Sequence, residues 1–398
     1  MSMPAGATDI VSLVAAVPVL AASTYLAVLT LLSRRLTPPA PDTRTRFDIV
    51  VPAHNESAGI ALTVASLRAI DYPDDRYRIL VIADNCTDNT AELASEAGAR
   101  VIPRQSATER GKGYALALGY ATSLSEGFAD AVVVVDADTH VSPNLLSAFS
   151  SRFAGGADAV QAEYGVRNGA ASWRTRLMVI ALTCFHTVRS LARARLRVSC
   201  GLRGNGMGFS ASLLRRVPPR AFSIVEDVEY GVSLSLAGVR VEYVFEAVVD
   251  GEMPTSAAAS ETQRERWEGG RLALVRSHVP PLLASARGAN RWVAYDMAAD
   301  LLVPPLTSLV FFAGLGFLIS AGLLLAGTVG MLAVVPWLLS ILAIAVYIVR
   351  GAMLSGVGAT AFLDLLWAPV YAVWKVTLLF RKSRRNGEWV RTARSNEK

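Results

Sequence analysis

Two aspartates, Asp136 and Asp138, follow a run of four valines in the stretch AVVVVDADTH, residues 131–140. A buried strand needs only one polar residue to turn at its end, so the second carboxylate requires another explanation. Two carboxylates this close repel one another unless a cation lies between them. Mg²⁺ and Mn²⁺ prefer carboxylate oxygens and leave coordination positions free for phosphate oxygens. The pair therefore predicts a divalent metal site beside a phosphorylated ligand, with one carboxylate on the metal and the other on the same metal or on a ribose hydroxyl.

A lysine, Lys112, lies between two glycines in RGKGYAL, residues 110–116, at the predicted start of a helix. Backbone amides and an ammonium group at such a position suit a bound phosphate. A simple turn that caps the helix would show the same pattern, so both interpretations stay open.

Two adjacent acidic residues, Glu226 and Asp227, begin another predicted helix, which ends at Gly238. Carboxylates in a first turn stabilise the helix dipole by default. An adjacent pair can also supply the general base that deprotonates a hydroxyl nucleophile.

The stretch QRERW, residues 263–267, combines an amide, a guanidinium and an indole. On a helix, Gln263 and Trp267 are four residues apart and share one face, with Arg266 beside them. Gln263 and Arg266 can bind a diphosphate, and Trp267 can stack on a sugar ring. An interfacial tryptophan flanked by arginines is the alternative.

The elements that must position these side chains alternate between strands and helices over residues 46–270. This alternation predicts right-handed crossovers and a mostly parallel sheet covered on both faces. Predicted strands end in His54-Asn55-Glu56, in Asp84-Asn85 and in the Asp136 pair. Because ligands of such sheets bind beyond the carboxyl ends of the strands, we expect these residues to line one cleft.

Hydrophobic residues make up 52% of the 398 residues and charged residues only 18%, and the excess is concentrated in long uncharged runs. Residues 10–32 predict a transmembrane helix over 8–33, and residues 301–349 predict a transmembrane hairpin over 301–350. The first run lacks the basic start of a signal peptide, so we expect a retained anchor. Arg34 and Arg35 place the following domain in the cytosol by the positive-inside rule.

The rest of the C-terminal region is predicted to lie at the membrane surface. We expect interfacial linker helices over 271–300 and a basic cytosolic tail over 381–398. Residues 356–380 contain Asp364 and Lys375 and are rich in aromatic residues, which favours an amphipathic interfacial segment. They are also long enough to form a third C-terminal membrane segment.

Part of the net charge of +6 is concentrated in VRSLARARLRVSCGLRG, which contains five arginines: Arg189, Arg193, Arg195, Arg197 and Arg203. Such a cluster attracts anionic lipid headgroups or a polyanionic substrate, and a solvated basic face is the alternative. No nucleic-acid-binding motif accompanies the charge, so we expect no nucleic acid partner.

Seven motifs occur in the order and rough spacing of family 2 glycosyltransferases: PAHNE, DNCTDNT, RGKGYA, DAD, GNGMGF, ED and QRERW. The chain resembles most the membrane-embedded branch that includes cellulose, hyaluronan and poly-N-acetylglucosamine synthases and ceramide glucosyltransferases. The resemblance covers residues 46–270. It implies a GT-A fold, which is a Rossmann-like α/β domain, and inverting transfer from a nucleotide-sugar, usually a UDP-sugar. It also implies a divalent cation, Mg²⁺ or Mn²⁺, as cofactor.

The resemblance assigns the binding of the nucleotide-sugar to seven residues: Ala53, Glu56, Asp84, Lys112, Asp136, Gln263 and Arg266. Within this set, Asp84 would contact the base and Lys112 would lie near the diphosphate. Asp136 and Asp138 would hold the metal.

For the acceptor side, the resemblance makes Asp227 the catalytic base, with Glu226 beside it. Trp267 would form the floor of the acceptor site. The glycines Gly206 and Gly208 of GNGMGF would let the backbone approach the sugar or the acceptor closely.

Three predicted spans are fewer than a polymer-secreting synthase needs to enclose a channel. We therefore expect an integral protein of the inner or plasma membrane that transfers one or a few sugars to a lipid-linked or glycolipid acceptor. The alternatives are a processive polysaccharide synthase and, from other classes, a sugar nucleotidyltransferase or a catalytically silent scaffold subunit.

Overall fold

The computed structural model describes residues 5–169, 172–223, 225–252, 271–285 and 291–367. These residues divide into two compact units. The α/β domain contains the described parts of residues 35–175 and 193–301, and the helical unit contains those of residues 1–34, 176–192 and 302–385.

The strands of the α/β domain form one eight-stranded sheet. Their bounds are β1 Phe47–Ala53, β2 Tyr77–Asp84, β3 Arg100–Arg104, β4 Ala131–Val134, β5 His140–Val141, β6 Ala159–Val166, β7 Met207–Ser210 and β8 Val241–Gly251. The central strands β1 and β4 are buried along their whole length, as expected for apolar strands covered on both faces.

The strand order is β3-β2-β1-β4-β7-β6-β8-β5. Strands β1, β2, β3 and β4 pair in parallel, as do β6 and β8. Strand β7 is antiparallel to both of its neighbours, and β5 is antiparallel to β8. The carboxyl ends of β1, β2 and β4 therefore lie at one edge of the sheet, which confirms the predicted α/β sheet.

The α-helices of the described residues are α1 Ala5–Leu32, α2 Ile60–Arg68, α3 Thr90–Glu96, α4 Lys112–Glu126, α5 Leu145–Ala154, α6 Trp173–Thr183, α7 Arg189–Leu196, α8 Ala211–Arg216, α9 Glu226–Leu236, α10 Arg271–Ser285, α11 Arg291–Leu302, α12 Leu306–Leu325, α13 Val335–Leu354 and α14 Thr360–Asp364. A π-helical segment, Cys184–Val188, joins α6 to α7. The predicted hairpin begins later than residue 301 because Pro304 and Pro305 separate α11 from α12.

Helix α9, which begins with Glu226 and Asp227, packs against α10 and α11 through a buried apolar cluster. From α9 the cluster contains Val232, with Val228 packed against it. Leu282 of α10 and Met297 of α11 lie opposite. The helices predicted as linkers over 271–300 therefore support α9 within the α/β domain.

In the helical unit, α1 is held against the α12–α13 hairpin by polar contacts at both ends. Asp9 Oδ1 accepts a hydrogen bond of 2.8 Å from Gly330 N. At the other end, Arg350 Nη2 donates to the carbonyl of Ser33 over 2.7 Å. Such contacts fix the packing of helices whose other surfaces are apolar.

Four helical stretches of the described residues are long and apolar enough to cross a membrane: Gly6–Leu32, Trp173–Leu196, Leu306–Leu325 and Met331–Leu354. This indicates association with a membrane. The sequence predicts three spans, one fewer than these candidates among the described residues. The stretch Trp173–Leu196 was not predicted because its arginines interrupt the apolar pattern.

The five arginines predicted to form one basic surface do not do so. Arg189 and Arg193 are buried, and the prediction is wrong for these two residues. Arg189 Nε donates to Tyr347 Oη over 2.9 Å. Arg193 lies between two carboxylates, 3.0 Å from Asp296 Oδ2 and 2.8 Å from Asp300 Oδ1.

The predicted segment 356–380 is described as far as residue 367. It contains the short helix α14, whose Asp364 accepts two hydrogen bonds from Arg176, of 2.5 and 3.0 Å. The remainder of the segment and the predicted tail 381–398 lie outside the described residues.

Candidate functional site

The centre of the site is Lys112, the first residue of α4. Its Nζ lies 2.6 Å from Asp136 Oδ1 and 3.7 Å from Glu226 Oε1, and it donates a hydrogen bond of 2.6 Å to the carbonyl of Gly204. Gly111 precedes it with φ of +131°, which residues bearing a Cβ rarely adopt. The turn thus directs the ammonium group into a cluster of acidic residues.

Glu226 and Asp227 enter the same cluster from the first turn of α9. Burial raises the pKa of both carboxyl groups, and the charge of Lys112 acts in the opposite direction. Burial also disfavours the charge of Lys112, but the carboxylates of Asp136 and Glu226 outweigh it and raise the pKa of the ammonium group. The pair therefore holds its protons more strongly than exposed carboxylates do, which suits groups that exchange protons near neutral pH.

Asp136 and Asp138 are both partly buried and follow β4 directly. Among the described residues, no three His, Cys, Asp or Glu side chains form a cluster that could hold a metal ion. The donor set is instead two carboxylates two residues apart, and Lys112 contacts one oxygen of Asp136. This set fits an ion such as Mg²⁺, which takes one or two protein carboxylates and completes its coordination with phosphate oxygens and water.

Asp84, at the end of β2, is buried and bound to Arg104, whose Nη1 lies 2.7 Å from Asp84 Oδ1. The other oxygen, Oδ2, has no hydrogen-bond partner in the described part of the chain. Ala53 is the last residue of the neighbouring strand β1. It pairs with Ala83, the residue before Asp84. Glu56 follows in the next loop, where its backbone N donates to Thr90 Oγ1 over 2.8 Å.

The edge of the sheet therefore brings together six of the predicted site residues in two groups. Lys112, Asp136, Glu226 and Asp227 form the first group, around the ammonium group of Lys112. Ala53 and Asp84 form the second group, at the adjacent ends of β1 and β2.

A model of the family described as "Glycosyltransferase like family 2" matches residues 44–270, more than half of the chain. The chain belongs to glycosyltransferase family 2. This confirms the predicted family.

The proteins to which this chain is similar include two kinds of glycosyltransferase. The beta-monoglucosyldiacylglycerol synthase of Synechocystis is 30% identical over 231 residues, which cover 56% of this chain and 47% of that protein. The N-acetylglucosaminyltransferase of Mesorhizobium japonicum is 24% identical over 330 residues, which cover 79% of this chain and 73% of that protein. The chain spans about half the length of the first relatives it matches.

A solved structure of similar fold is the mannosyltransferase PcManGT from Pyrobaculum calidifontis in complex with GDP-Man and Mn²⁺. The TM-score is 0.55 at 17% identity, and the match covers 87% of this chain and 97% of that chain. At this identity the likeness shows the fold alone. It agrees with the predicted GT-A fold of this family 2 chain.

Among the glycines of the GNGMGF motif, Gly204 is the one that faces the acidic cluster. A Cβ on Gly204 would lie 3.4 Å from Asp227 Oδ2. A Cβ on Gly206 would lie 2.6 Å from Val249, and one on Gly208 would lie 2.6 Å from Val160. Close packing inside the sheet therefore explains Gly206 and Gly208, and their predicted contact with the acceptor stays a prediction.

The remaining predicted residues, Gln263, Arg266 and Trp267, lie outside the described residues. The structure in turn adds residues that the sequence analysis missed. Asn205 lies between two glycines of the quoted motif, and Gln161 is a polar residue in the otherwise apolar start of β6. Both side chains are fully buried. A polar residue at a strand position that should be buried was the available signal for Gln161.

Tyr164, farther along β6, also belongs to the site. Its phenol pKa is raised, first by burial and then by the charges of Asp136 and Asp138, while a hydrogen bond with Asn205 acts in the opposite direction. The hydroxyl group therefore stays protonated and can donate a hydrogen bond beside the carboxylates.

Proposed function

We propose that this family 2 protein transfers a sugar, with inversion, from a nucleotide-sugar to a hydroxyl group of a membrane-associated acceptor. The observation that carries the proposal is the convergence of Lys112, Asp136, Glu226 and Asp227 at one edge of the sheet. A phosphate-binding cation, a metal-binding carboxylate and a buried carboxylate pair are the groups that such a transfer requires.

In the proposed reaction, Asp227 accepts the proton of the acceptor hydroxyl. Glu226 lies beside it and interacts with the same positive charge, that of Lys112. The acceptor oxygen then forms a bond to C1 of the sugar while the bond from C1 to the diphosphate oxygen breaks on the opposite side. Lys112 stabilises the negative charge that develops on the leaving diphosphate. Asp136 and Asp138 would hold a divalent cation, which when bound supplies further charge stabilisation to that diphosphate.

A membrane-associated acceptor is supported by the four apolar helices and by the relatives. Two of the relatives are beta-monoglucosyldiacylglycerol synthases, whose product is a glucosylated diacylglycerol, a lipid. We propose that the α/β domain faces the cytosol, because Arg34 and Arg35 directly follow α1. The donor is proposed to be a UDP-sugar, although the GDP-Man of the structural neighbour makes GDP-sugars the first alternative to test.

Processive polysaccharide synthesis remains the second candidate, because of one observation. The helical stretch Trp173–Leu196 raises the number of potential spans among the described residues to four, which weakens the objection that too few spans are present to form a channel.

The test is nucleotide release by the purified protein in lipid nanodiscs, with a panel of UDP- and GDP-sugars, Mn²⁺ or Mg²⁺, and a membrane lipid extract. We expect release with one donor, stimulated by the extract and lost in Asp227→Asn. Release of nucleotide with growth of a long polymer on a soluble oligosaccharide would favour the processive alternative. No release with any donor would contradict the proposal and favour a silent scaffold.

A further inference from the structure

A buried amide of β6, Gln161, holds the loop Arg203–Gly206 from one side. Its Oε1 accepts a hydrogen bond of 2.9 Å from Arg203 N, and its Nε2 donates to the carbonyl of Asn205 over 2.7 Å. Both polar atoms of the fully buried side chain are therefore satisfied by the backbone of the loop. Without Gln161, the N–H of Arg203 and the carbonyl of Asn205 would lose these hydrogen bonds in the interior, which lowers the stability of the fold.

The loop's own amide, Asn205, reaches in the other direction, towards the residues that follow β4. Its Oδ1 accepts a hydrogen bond of 3.1 Å from Asp136 N, and its Nδ2 donates to Thr139 Oγ1 over 2.8 Å. Asn205 thus bonds both ends of the short turn that carries Asp136 and Asp138. Because Asn205 and Thr139 are buried, water does not compete for these bonds.

The same loop also contacts the other half of the site. The carbonyl of Gly204 accepts the hydrogen bond from Lys112 Nζ, and Gly204 packs next to Asp227. One loop of four residues therefore contacts the backbone of Asp136, which carries a proposed metal-binding carboxylate, as well as the proposed phosphate-binding cation and the proposed base.

We propose that Gln161 and Asn205 are positioning residues that fix the distance between the donor side and the acceptor side of the site. Gln161 anchors the loop to β6, and Asn205 transmits that position to the turn of Asp136. This inference rests on the proposed function for its catalytic consequence. A displacement of about 1 Å between a base and its target lowers a rate by about 100-fold, so a loop that sets this distance affects turnover more than binding.

The test uses four variants of the full-length protein in nanodiscs: Asn205→Ala, Gln161→Met, Thr139→Val and Thr139→Ser. Thr139→Val keeps the shape but removes the acceptor of the Asn205 amide, whereas Thr139→Ser keeps that acceptor. We expect kcat to fall about 10- to 100-fold in the first three variants, with little change in the donor KM, and to be largely retained in Thr139→Ser. The kcat of the double variant Asn205→Ala/Thr139→Val should be no lower than that of Asn205→Ala alone, because both substitutions remove the same hydrogen bond between Asn205 and Thr139.

Asn144→Ala is the control variant. It removes a side-chain amide that lies away from the site and donates a hydrogen bond of 2.9 Å to the carbonyl of Glu246, and it should leave kcat unchanged. Unchanged kcat in a folded Asn205→Ala variant, or losses that add in the double variant, would overturn the inference. So would a donor KM that rises by the same factor as kcat falls.

Hydrogen–deuterium exchange separates this inference from the proposed function. Asn205→Ala should speed exchange in peptides that cover residues 132–140, since Asp136 N loses its acceptor, and leave β1 peptides unchanged. If the wild-type protein turns over no donor, the proposed function fails. The exchange result still tests whether Asn205 holds the turn that carries Asp136. Unchanged exchange at residues 132–140 would overturn the inference.

Discussion

Replacing Lys112 by methionine should shift the pH dependence of turnover. Among the charges of the described residues, Lys112 has the largest lowering effect on the pKa of Glu226 and of Asp227, which are both buried. Its removal takes away the largest influence that opposes burial, so the pKa of the pair must rise further. The proposed base then becomes deprotonated only at higher pH. The acidic limb of kcat/KM therefore moves to higher pH.

The size of the shift follows from the geometry. Lys112 Nζ and Glu226 Oε1 are 3.7 Å apart. At an effective dielectric constant of about 20, unit charges about 4 Å apart interact by about 4 kcal/mol, or about three pKa units. The side chains are still 20% and 11% exposed, and water can enter the space left by the ammonium group. We therefore expect a shift of about one to two pH units.

The assay is the pH profile of kcat/KM for nucleotide release, with each variant normalised to its own plateau. Normalisation is needed because Lys112 is also proposed to bind the donor diphosphate, so Lys112→Met should lower the plateau itself. Lys112→Arg is the matched control: it keeps the positive charge, and its acidic limb should stay close to that of the wild type.

The same change has a consequence for stability. A carboxyl group whose pKa is raised in the folded state stabilises that state at low pH and loses this contribution as the pH rises through the raised pKa. Lys112→Met should therefore lose stability, relative to the wild type, as the pH rises towards neutrality.

For the pH profile of kcat/KM, an acidic limb of Lys112→Met that coincides with that of the wild type would refute this account of the site.

Three further changes have defined outcomes. Arg193→Leu removes the buried guanidinium that lies between Asp296 and Asp300 and should destabilise the fold by about 3–5 kcal/mol, seen as a lower thermal midpoint. Arg46→Ala, in an exposed pair, should change the midpoint little, and equal shifts would contradict the role of burial. Gly204→Ala places a Cβ beside Asp227 at φ of +79°, a backbone conformation that costs an L-residue about 1–2 kcal/mol. This variant should lower turnover of the folded protein at least about tenfold, and normal turnover would show that the loop tolerates a side chain. Chelation by EDTA should abolish nucleotide release, with recovery on adding Mn²⁺ or Mg²⁺, and release that persists after chelation would argue against the metal.

The parts of the site that depend on local signals could be predicted from the sequence. Asp84 ends β2 and Asp136 follows β4 because a polar residue ends each apolar run. Lys112 begins α4, and Glu226 begins α9, as the flanking glycines and the helical pattern indicated. Their meeting at one edge followed from the rule for parallel sheets.

The parts that depend on contacts between distant residues could not be predicted. Arg193 is buried because Asp296 and Asp300, about a hundred residues later in the chain, lie against it, and nothing local to Arg193 indicates them. The link from Gln161 to Asn205 likewise joins neighbouring strands that are separated by two helices in sequence. Side-chain pairing of this kind depends on the completed sheet rather than on periodicity.

The packing of α10 against α9 limits where the α/β domain can be divided. Leu282 of α10 and Met297 of α11 pack against Val232 of α9, the helix that begins with Glu226 and Asp227. A fragment that ended at residue 270 would expose this apolar surface to water, and exposed apolar patches favour aggregation. The unit that folds around the proposed base therefore includes α10 and α11.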